Sequence, residues 1–314
     1  MRKVKISIVC PVYQCGDCLN GLYKRLLFSI IALDTDYEII LVDDGSPDNS
    51  WDVISQLAKL DQNIKGIRLS RNFGQHYAIT SGLNHCSGDW IIVMDCDLQD
   101  QPEEIPKLFS KAMEGYKIVF ARRFNRKDRW LKRKLSAAFY FILSYLTNTI
   151  QDPSVANFGI YHQDVINAIL SMNDYHRYFP TMIRWVGYKS TSLEVSHFSN
   201  HSRESSYNFS KRLKLALDVI LSFSDKLLRL TIKFGFIISC IGILFGIYNI
   251  VLALNGVIIV PGYASLIISV WVLSGIIIMI LGIVGLYIGK TFDKVKGRPT
   301  YIIENKINIH DESD

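Results

Sequence analysis

The 314-residue chain predicts an α/β protein, a doubly wound, mainly parallel sheet followed by helices that seek a membrane. Three observations carry that expectation. From residue 5 to residue 121, short apolar runs alternate with polar loops and helix-length segments, the order that winds helices onto both faces of a sheet. The run Trp90 to Met94 is unbroken and apolar, which suits a strand covered on both faces, and it ends in the acids Asp95 and Asp97. Finally, Phe234 to Leu254 and Val257 to Gly289 carry no charged side chain, and each exceeds the ~20 residues that a bilayer crossing needs.

Taken in order, Lys5 to Cys10 reads as a first strand closed by Pro11-Val12-Tyr13, and Leu19 to Leu33 as a mostly apolar helix. Glu38 to Val42 is the second strand. It runs into Asp43-Asp44-Gly45-Ser46-Pro47, where a turn forms and Asp48, Asn49 or Ser50 starts a helix through Leu60. One of the paired acids is expected to be structural, the other to accept hydrogen bonds from a base or ribose at the strand's carboxyl end. Lys65 to Leu69 is a third strand, and Ser70-Arg71-Asn72-Phe73-Gly74-Gln75 leads into a helix through His85. After the strand from Trp90, Asp100 with Glu103 and Pro102 is a helix-start signature. Lys117 to Ala121 is a further strand.

Asp95 and Asp97 come too early to cap that helix. Two apart in extended chain, their carboxylates lean to one side at the sheet's carboxyl edge, where open α/β sheets bind ligands. Hard oxygen donors there suit Mg²⁺ or Mn²⁺ shared with a diphosphate, because phosphate oxygens and water complete the octahedron.

Beyond residue 121 the character changes. Between Arg122 and Lys134 eight residues are Lys or Arg, and Leu135 to Leu146 is apolar and aromatic, the pattern of an interfacial helix with a basic entrance, around 129–148. Anionic lipid or phosphate, plain solvation and nucleic acid compete for such a cluster; with charge-free spans downstream, lipid or phosphate is favoured and no nucleic-acid partner is expected. Asp152 to Ile160 resumes a strand-like pattern, Val165 to Met172 is a short helix, and His197 to Tyr207 is a polar loop. From Phe209, the set Leu213, Ala216, Leu217, Ile220, Phe223, Ser224, Leu227 and Leu228 has helical spacing and describes an amphipathic helix on the membrane surface.

Lys226, Arg229 and Lys233 precede the first charge-free span, while Lys290, Lys294, Lys296 and Arg298 follow the second; Gly256, Pro261 and Gly262 mark a turn between. The positive-inside rule then places both flanks in the cytoplasm, and MRKVKISIVC has no signal-peptide pattern. The expected division is a cytosolic catalytic domain over 1–206, a juxtamembrane helix over 207–231, two transmembrane helices over 232–289 with a loop around 255–263, and a cytosolic tail over 290–314. The six cysteines are scattered, and in a reducing compartment free thiols are expected; Cys15-Gly-Asp-Cys18 has redox or metal spacing but no second pair.

SIVCPVY, EIILVDDGSPDNS, RNFGQ and GDWIIVMDCDLQDQPE, in that order and spacing, make residues 5–105 resemble the family 2 glycosyltransferases of the GT-A fold. The closing GLYIGKTFDKVKGRPTY is similar to the tail of the membrane branch that loads sugars onto polyprenyl phosphates, the relatives of dolichol-phosphate mannose synthase and bacterial undecaprenyl-phosphate glycosyltransferases. The resemblance covers nearly the whole chain. It implies that Pro11, Tyr13, Asp43, Asp44, Arg71, Gln75, Asp95, Ser205 and Tyr207 bind a nucleotide sugar, UDP-linked by default, and that Asp95 and Asp97 form the metal and diphosphate motif. Arg122, Lys132, Arg133 and Ser136 fall where the branch holds the lipid phosphate, and His197, Ser205 and Tyr207 on a loop closing over the diphosphate.

The chain departs from the family pattern in three places. Gln14-Cys15 stands where the family has Asn-Glu. Asn200 and Arg203 replace the loop's usual Arg and Gly, so Arg203 is expected to supply the missing charge as a catalytic residue beside Asp97; Asn157 stands where many relatives carry Asp, and no general base is assigned to it. The activity implied is inverting transfer of a hexosyl group, glucose or a related sugar, to undecaprenyl phosphate at the cytoplasmic membrane face, with a homo-oligomer possible. Transfer to a glycan hydroxyl and a non-catalytic nucleotide-binding scaffold are the competing expectations.

Overall fold

The computed structural model describes residues 3–123, 155–172, 174–195, 226–255 and 262–309. The chain divides into two units, one holding all the strands and including the segment after Pro299, the other holding the two long helices of the carboxyl-terminal third.

The first unit is built on one eight-stranded sheet. Strands β1 (Lys5–Val12), β2 (Asp36–Asp43), β3 (Ile64–Leu69) and β4 (Trp90–Val93) are its parallel centre, joined by helices α1 (Gly16–Ile31), α2 (Ser50–Leu60) and α3 (Gln75–Asn84). A 3₁₀ turn, Pro102–Glu104, enters α4 (Ile105–Met113). Then come β5 (Ile118–Arg123), β6 (Val155–His162), α5 (Gln163–Leu170), α6 (Phe179–Trp185), β7 (Ser190–Val195) and, past the long helices, β8 (Ile303–Ile307). Across the sheet the order is β7-β5-β6-β4-β1-β2-β3-β8.

The expected mainly parallel sheet is borne out, with antiparallel strands on either side of its centre: β5 and β7 are also parallel, but β6 runs antiparallel to both β4 and β5, and β8 antiparallel to β3, so the sheet is mixed. An apolar run encodes burial but not direction. β7 and β8 were also not anticipated. Their sequences, STSLEV and IENKI, sit at the two edges with mostly half-exposed or exposed residues, so neither carries the unbroken apolar signature of β4.

The core lies where the helices meet the central strands. On α1, Leu19, Leu22, Leu26 and Ile30 are buried at helical spacing against Ile6, Ile8 and Ile39 of the sheet and Ile54 of α2. α3 lies close on β1 and β2 because Gly82 has no side chain: a Cβ there would stand 2.4 Å from Val9 Cγ1. That close seat fixes where the amino end of α3 meets the carboxyl edge of the sheet.

The second unit contains α7 (Lys226–Leu254) and α8 (Tyr263–Val295). The charge-free run Phe234 to Leu254 falls within α7. Among the described residues, Val272–Val295 of α8 is the stretch long and apolar enough to cross a membrane.

Candidate active site

The strand order reverses at β1, which has β2 on one side and β4 on the other. In open α/β sheets the crevice beyond the carboxyl ends at such a switch point is the place for a ligand. Tyr13, Asp43 and Asp95 come from the ends of β1, β2 and β4, and the loop after β3 adds Arg71.

Of the paired acids after β2, Asp44 is the structural one. Its two oxygens accept from the backbone N–H groups of Phe73 and Gly74, both at 2.8 Å, and so tie the loop after β3 to the end of β2. Burial drives its carboxyl up to about 6 even though those two N–H donors pull the other way. Between the two loops sits Gly45 at φ +64°, where a Cβ would lie 2.5 Å from the carbonyl carbon of Arg71; the contact is open only to glycine. Arg71 emerges exposed from this interlock with its guanidinium 4.3 Å from the centre of the Phe73 ring.

Asp43 is fully buried. Its Oδ1 accepts from Ser46 N at 3.0 Å, while Oδ2 has no hydrogen-bond partner and lies 3.6 Å from Arg68 Nε. Burial raises this carboxyl as well, opposed by the Ser46 hydrogen bonds and the Arg68 charge. Ser46 also anchors the end of β1, its Oγ accepting from Gln14 N at 3.1 Å. Gln14 stands at φ +52°, a backbone region where Asn is the least costly non-glycine residue, which gives physical sense to the Asn of the family pattern. Pro11 is buried under this turn and Tyr13 is 45% exposed above it.

The acid pair after β4 is presented by a turn, not by extended chain. β4 ends at Val93, and Leu98 at φ +61° turns the chain, so Asp95 and Asp97 are placed by this loop and the alternation argument does not apply. Gln75, the first residue of α3, donates from Nε2 to Asp95 Oδ1 at 2.6 Å; Gln99 N donates to Asp97 Oδ1 at 3.1 Å. Among the described residues, no group of three His, Cys, Asp or Glu side chains converges to cage a metal. Two half-buried carboxylates, with no third such ligand among the described residues, suit Mg²⁺ or Mn²⁺, which draw remaining oxygens from phosphate and water. Asp100 is buried beside the 3₁₀ turn, while the capping position, Gln101, makes no side-chain cap.

Cys10, Cys15 and Cys96 are buried beneath this edge, Cys15 Sγ lying 3.5 Å from the Cys96 carbonyl, and the six cysteines form no disulfide. Burial pushes the Cys10 thiol up, out of the reactive range. The structure gives the Cys15-Cys18 spacing no partner pair: Cys15 belongs to the core and Cys18 lies one turn on along α1.

Of the expected acceptor-side residues, Arg122 is exposed on β5. Lys132, Arg133, Ser136, Arg203, Ser205 and Tyr207 lie outside the described residues, as do the proposed interfacial helix and the loop from His197. Two charged residues at the site were missed in the sequence, Arg68 and Glu304. Arg68 was visible as one of two cations, with Lys65, inside β3, but its register opposite Asp43 and the approach of Glu304 to 3.4 Å depend on pairings that one sequence does not reveal.

Residues 7–175 match the model of the glycosyl transferase family 2. The chain belongs to that family. Over 312 residues this glycosyltransferase is 34% identical to the uncharacterized glycosyltransferase YkcC of Bacillus subtilis, covering 99% of the chain and 97% of the relative. It is 32% identical over 308 residues to the undecaprenyl-phosphate 4-deoxy-4-formamido-L-arabinose transferase of Proteus mirabilis, covering 97% and 94%. Among solved structures, glucosyl-3-phosphoglycerate synthase of Mycobacterium tuberculosis with Mn²⁺ and UDP superposes with a TM-score of 0.49 at 14% identity, covering 70% of this chain and 78% of that one.

Proposed function

We propose that this glycosyltransferase moves a glycosyl group from a nucleotide sugar to a polyprenyl phosphate at the cytoplasmic face of a membrane, inverting the anomeric centre. The observation that carries the reading is the convergence of Asp43, Arg71, Asp95 and Asp97 on the carboxyl edge of the sheet at its switch point, in a chain with a membrane-length apolar helix. The Proteus mirabilis relative, similar along 97% of this chain, is named for an undecaprenyl-phosphate acceptor and supports that lipid class here. Its named donor is a 4-formamido pentose, so the hexosyl donor expected from the sequence is one of two sugar classes to test.

In this reading the described geometry supports the donor-side roles, and the family resemblance the acceptor-side ones. Asp43 offers its unpartnered oxygen to the nucleoside, and Arg71 brings positive charge to the same edge. Gln75 fixes the orientation of Asp95, which with Asp97 would hold Mg²⁺ or Mn²⁺. When bound, such a cation neutralises charge gathering on the departing nucleoside diphosphate. An oxygen of the lipid phosphate forms the new bond to the anomeric carbon as the bond to the diphosphate breaks, its electron pair leaving with the diphosphate. The attacking oxygen needs no dedicated base, because a phosphomonoester's second ionisation, near ~6, leaves it anionic at neutral pH. By the family resemblance, the lipid phosphate is assigned to Arg122, Lys132, Arg133 and Ser136, and the diphosphate also to Arg203, Ser205 and Tyr207.

Strand β8 supports a hairpin in the membrane. It pairs with β3 yet follows α8 in the chain, so an even number of crossings must separate β7 from β8. If α8 crosses, α7, 29 residues and ~43 Å long at 1.5 Å per residue, is the partner span.

The test is to incubate the purified chain with undecaprenyl phosphate, Mg²⁺ or Mn²⁺ and a panel of nucleotide hexoses and nucleotide 4-formamido pentoses, then identify the lipid product. The expected product partitions into organic solvent and releases sugar in mild acid. Asp97→Asn is expected to lower turnover by about 10²-fold or more with the fold retained. Full activity of that variant removes the cation from the scheme, and transfer only to glycan hydroxyls overturns the acceptor.

A further inference from the structure

The strand that returns from the long helices reaches the nucleotide end of the site. β8 covers the outer edge of β3, with Arg68 opposite Asn305 and Leu69 opposite Ile303. The register slips between those two pairs, so Glu304 is the extra residue of a bulge. A bulge breaks the strict alternation of a strand and re-aims a side chain. Here it leaves Glu304 Oε2 3.4 Å from Arg68 Nε. On its other side the same Nε lies 3.6 Å from Asp43 Oδ2, Asp43 being the register partner of Arg68 in the parallel pair of β2 and β3.

The guanidinium is therefore held between two carboxylates, and Nε is hydrogen-bonded to neither. Such an arrangement has a consequence for Asp43. Pulled fully onto Asp43, Arg68 would occupy the only oxygen that acid has to spare; drawn outward by Glu304, it leaves that oxygen buried and without a hydrogen bond, a state that favours an incoming donor. The surrounding contacts keep the strand in register. Ser70 N, at the start of the loop carrying Arg71, donates to Ile302 O at 3.0 Å; Asn84 on α3 donates to the Tyr301 hydroxyl at 2.9 Å; Asn308 Nδ2 reaches the carbonyls of Ala58 and Ile64 at 2.7 and 2.9 Å.

We propose that β8 is a working part of the nucleotide site: Glu304 is a positioning residue that holds Arg68 off Asp43, so that the unpartnered oxygen of Asp43 is open to the nucleoside. The inference rests on the nucleotide-sugar reading above. The groups facing Asp43 are Arg68 from β3 and Asp44 and Asp48 from the loop after β2.

The experiment uses the full chain in detergent with UDP as probe, measuring UDP affinity and the KM and kcat for nucleotide sugar between pH 5 and 8. Glu304→Gln is expected to weaken UDP binding and raise KM about fivefold with kcat unchanged. The acid limb of the affinity profile is expected to move to lower pH, because an uncontested Arg68 then closes on Asp43 and favours its charged form. Arg68→Gln is expected to move that limb the other way, since Asp43 loses its cation. Asn308→Ala, which loosens the same strand away from Arg68, is expected to lower the melting temperature without moving the limb.

A Glu304→Gln enzyme that binds UDP as the wild type does overturns the inference, as does an Asn308→Ala enzyme that reproduces the Glu304→Gln profile. If the wild-type chain binds no UDP but does bind and transfer from another nucleotide sugar, that nucleotide replaces UDP in the same test. If it binds none, the nucleotide-sugar reading falls and the inference with it.

Discussion

Adjacent aspartates after β2 show how neighbours of one chemistry come to do different work. Asp44 has both oxygens on backbone donors, whereas Asp43 keeps one oxygen without a hydrogen-bond partner. The sequence reading separated a structural acid from a ligand-facing one but did not say which was which, because the choice depends on where the loop 70–74 comes to rest. Since burial raises Asp44 from 3.8 to about 6, the folded protein binds more protons than the unfolded chain between those values. Stability contributed by this group is greatest below pH ~4 and declines as pH rises toward 6. Asp44→Asn should remove that slope from the difference in thermal unfolding between variant and wild type. It should also destabilise the fold at pH 7 by about 1–3 kcal/mol, because an amide offers one acceptor where two N–H groups need two.

At the scale of elements, the interlock of the loops after β2 and β3 matters most. Gly45→Ala meets both a left-handed backbone and the carbonyl carbon of Arg71 at 2.5 Å, so a cost of about 1–3 kcal/mol is expected. Because that strain falls on the loop carrying Arg71, nucleotide affinity should drop further than the melting temperature alone implies, which calorimetric titration with UDP at 10 °C would show. The central strands and their helices were legible because burial on both faces writes itself as apolar runs, as in Trp90 to Val93. The acids were legible by position alone: the short strand and the turn at Leu98 place Asp95 and Asp97 by a route that alternation did not suggest. Gln75 was named as a ligand contact, and the structure gives it a bond to Asp95. The edge strands were illegible, since β8, with a Glu, an Asn and a Lys in five residues, reads as tail.

For the molecule as a whole, the return of β8 to the sheet ties topology to chemistry. Reporter tags placed before residue 3 and after residue 309 should both be cut by protease on the cytosolic side of sealed vesicles, and a tag at residues 256–261 should be reached from the opposite side. A tag there that is cut from the cytosolic side would mean that the helices lie along the bilayer instead of crossing it.

The antiparallel edge has one more consequence, and it concerns time. β3 emerges from the ribosome more than two hundred residues before β8, and at ~5–20 residues per second its outer edge stays bare for ten seconds or longer. During that interval an unpaired strand is open to the wrong neighbour. Only when residues 303–307 have been made, after both long helices, is that edge covered and Arg68 given its second carboxylate. On the function proposed above, completion of the nucleotide site is thereby deferred until both long helices exist, so nascent chains stalled before that point should hold donor substrate poorly.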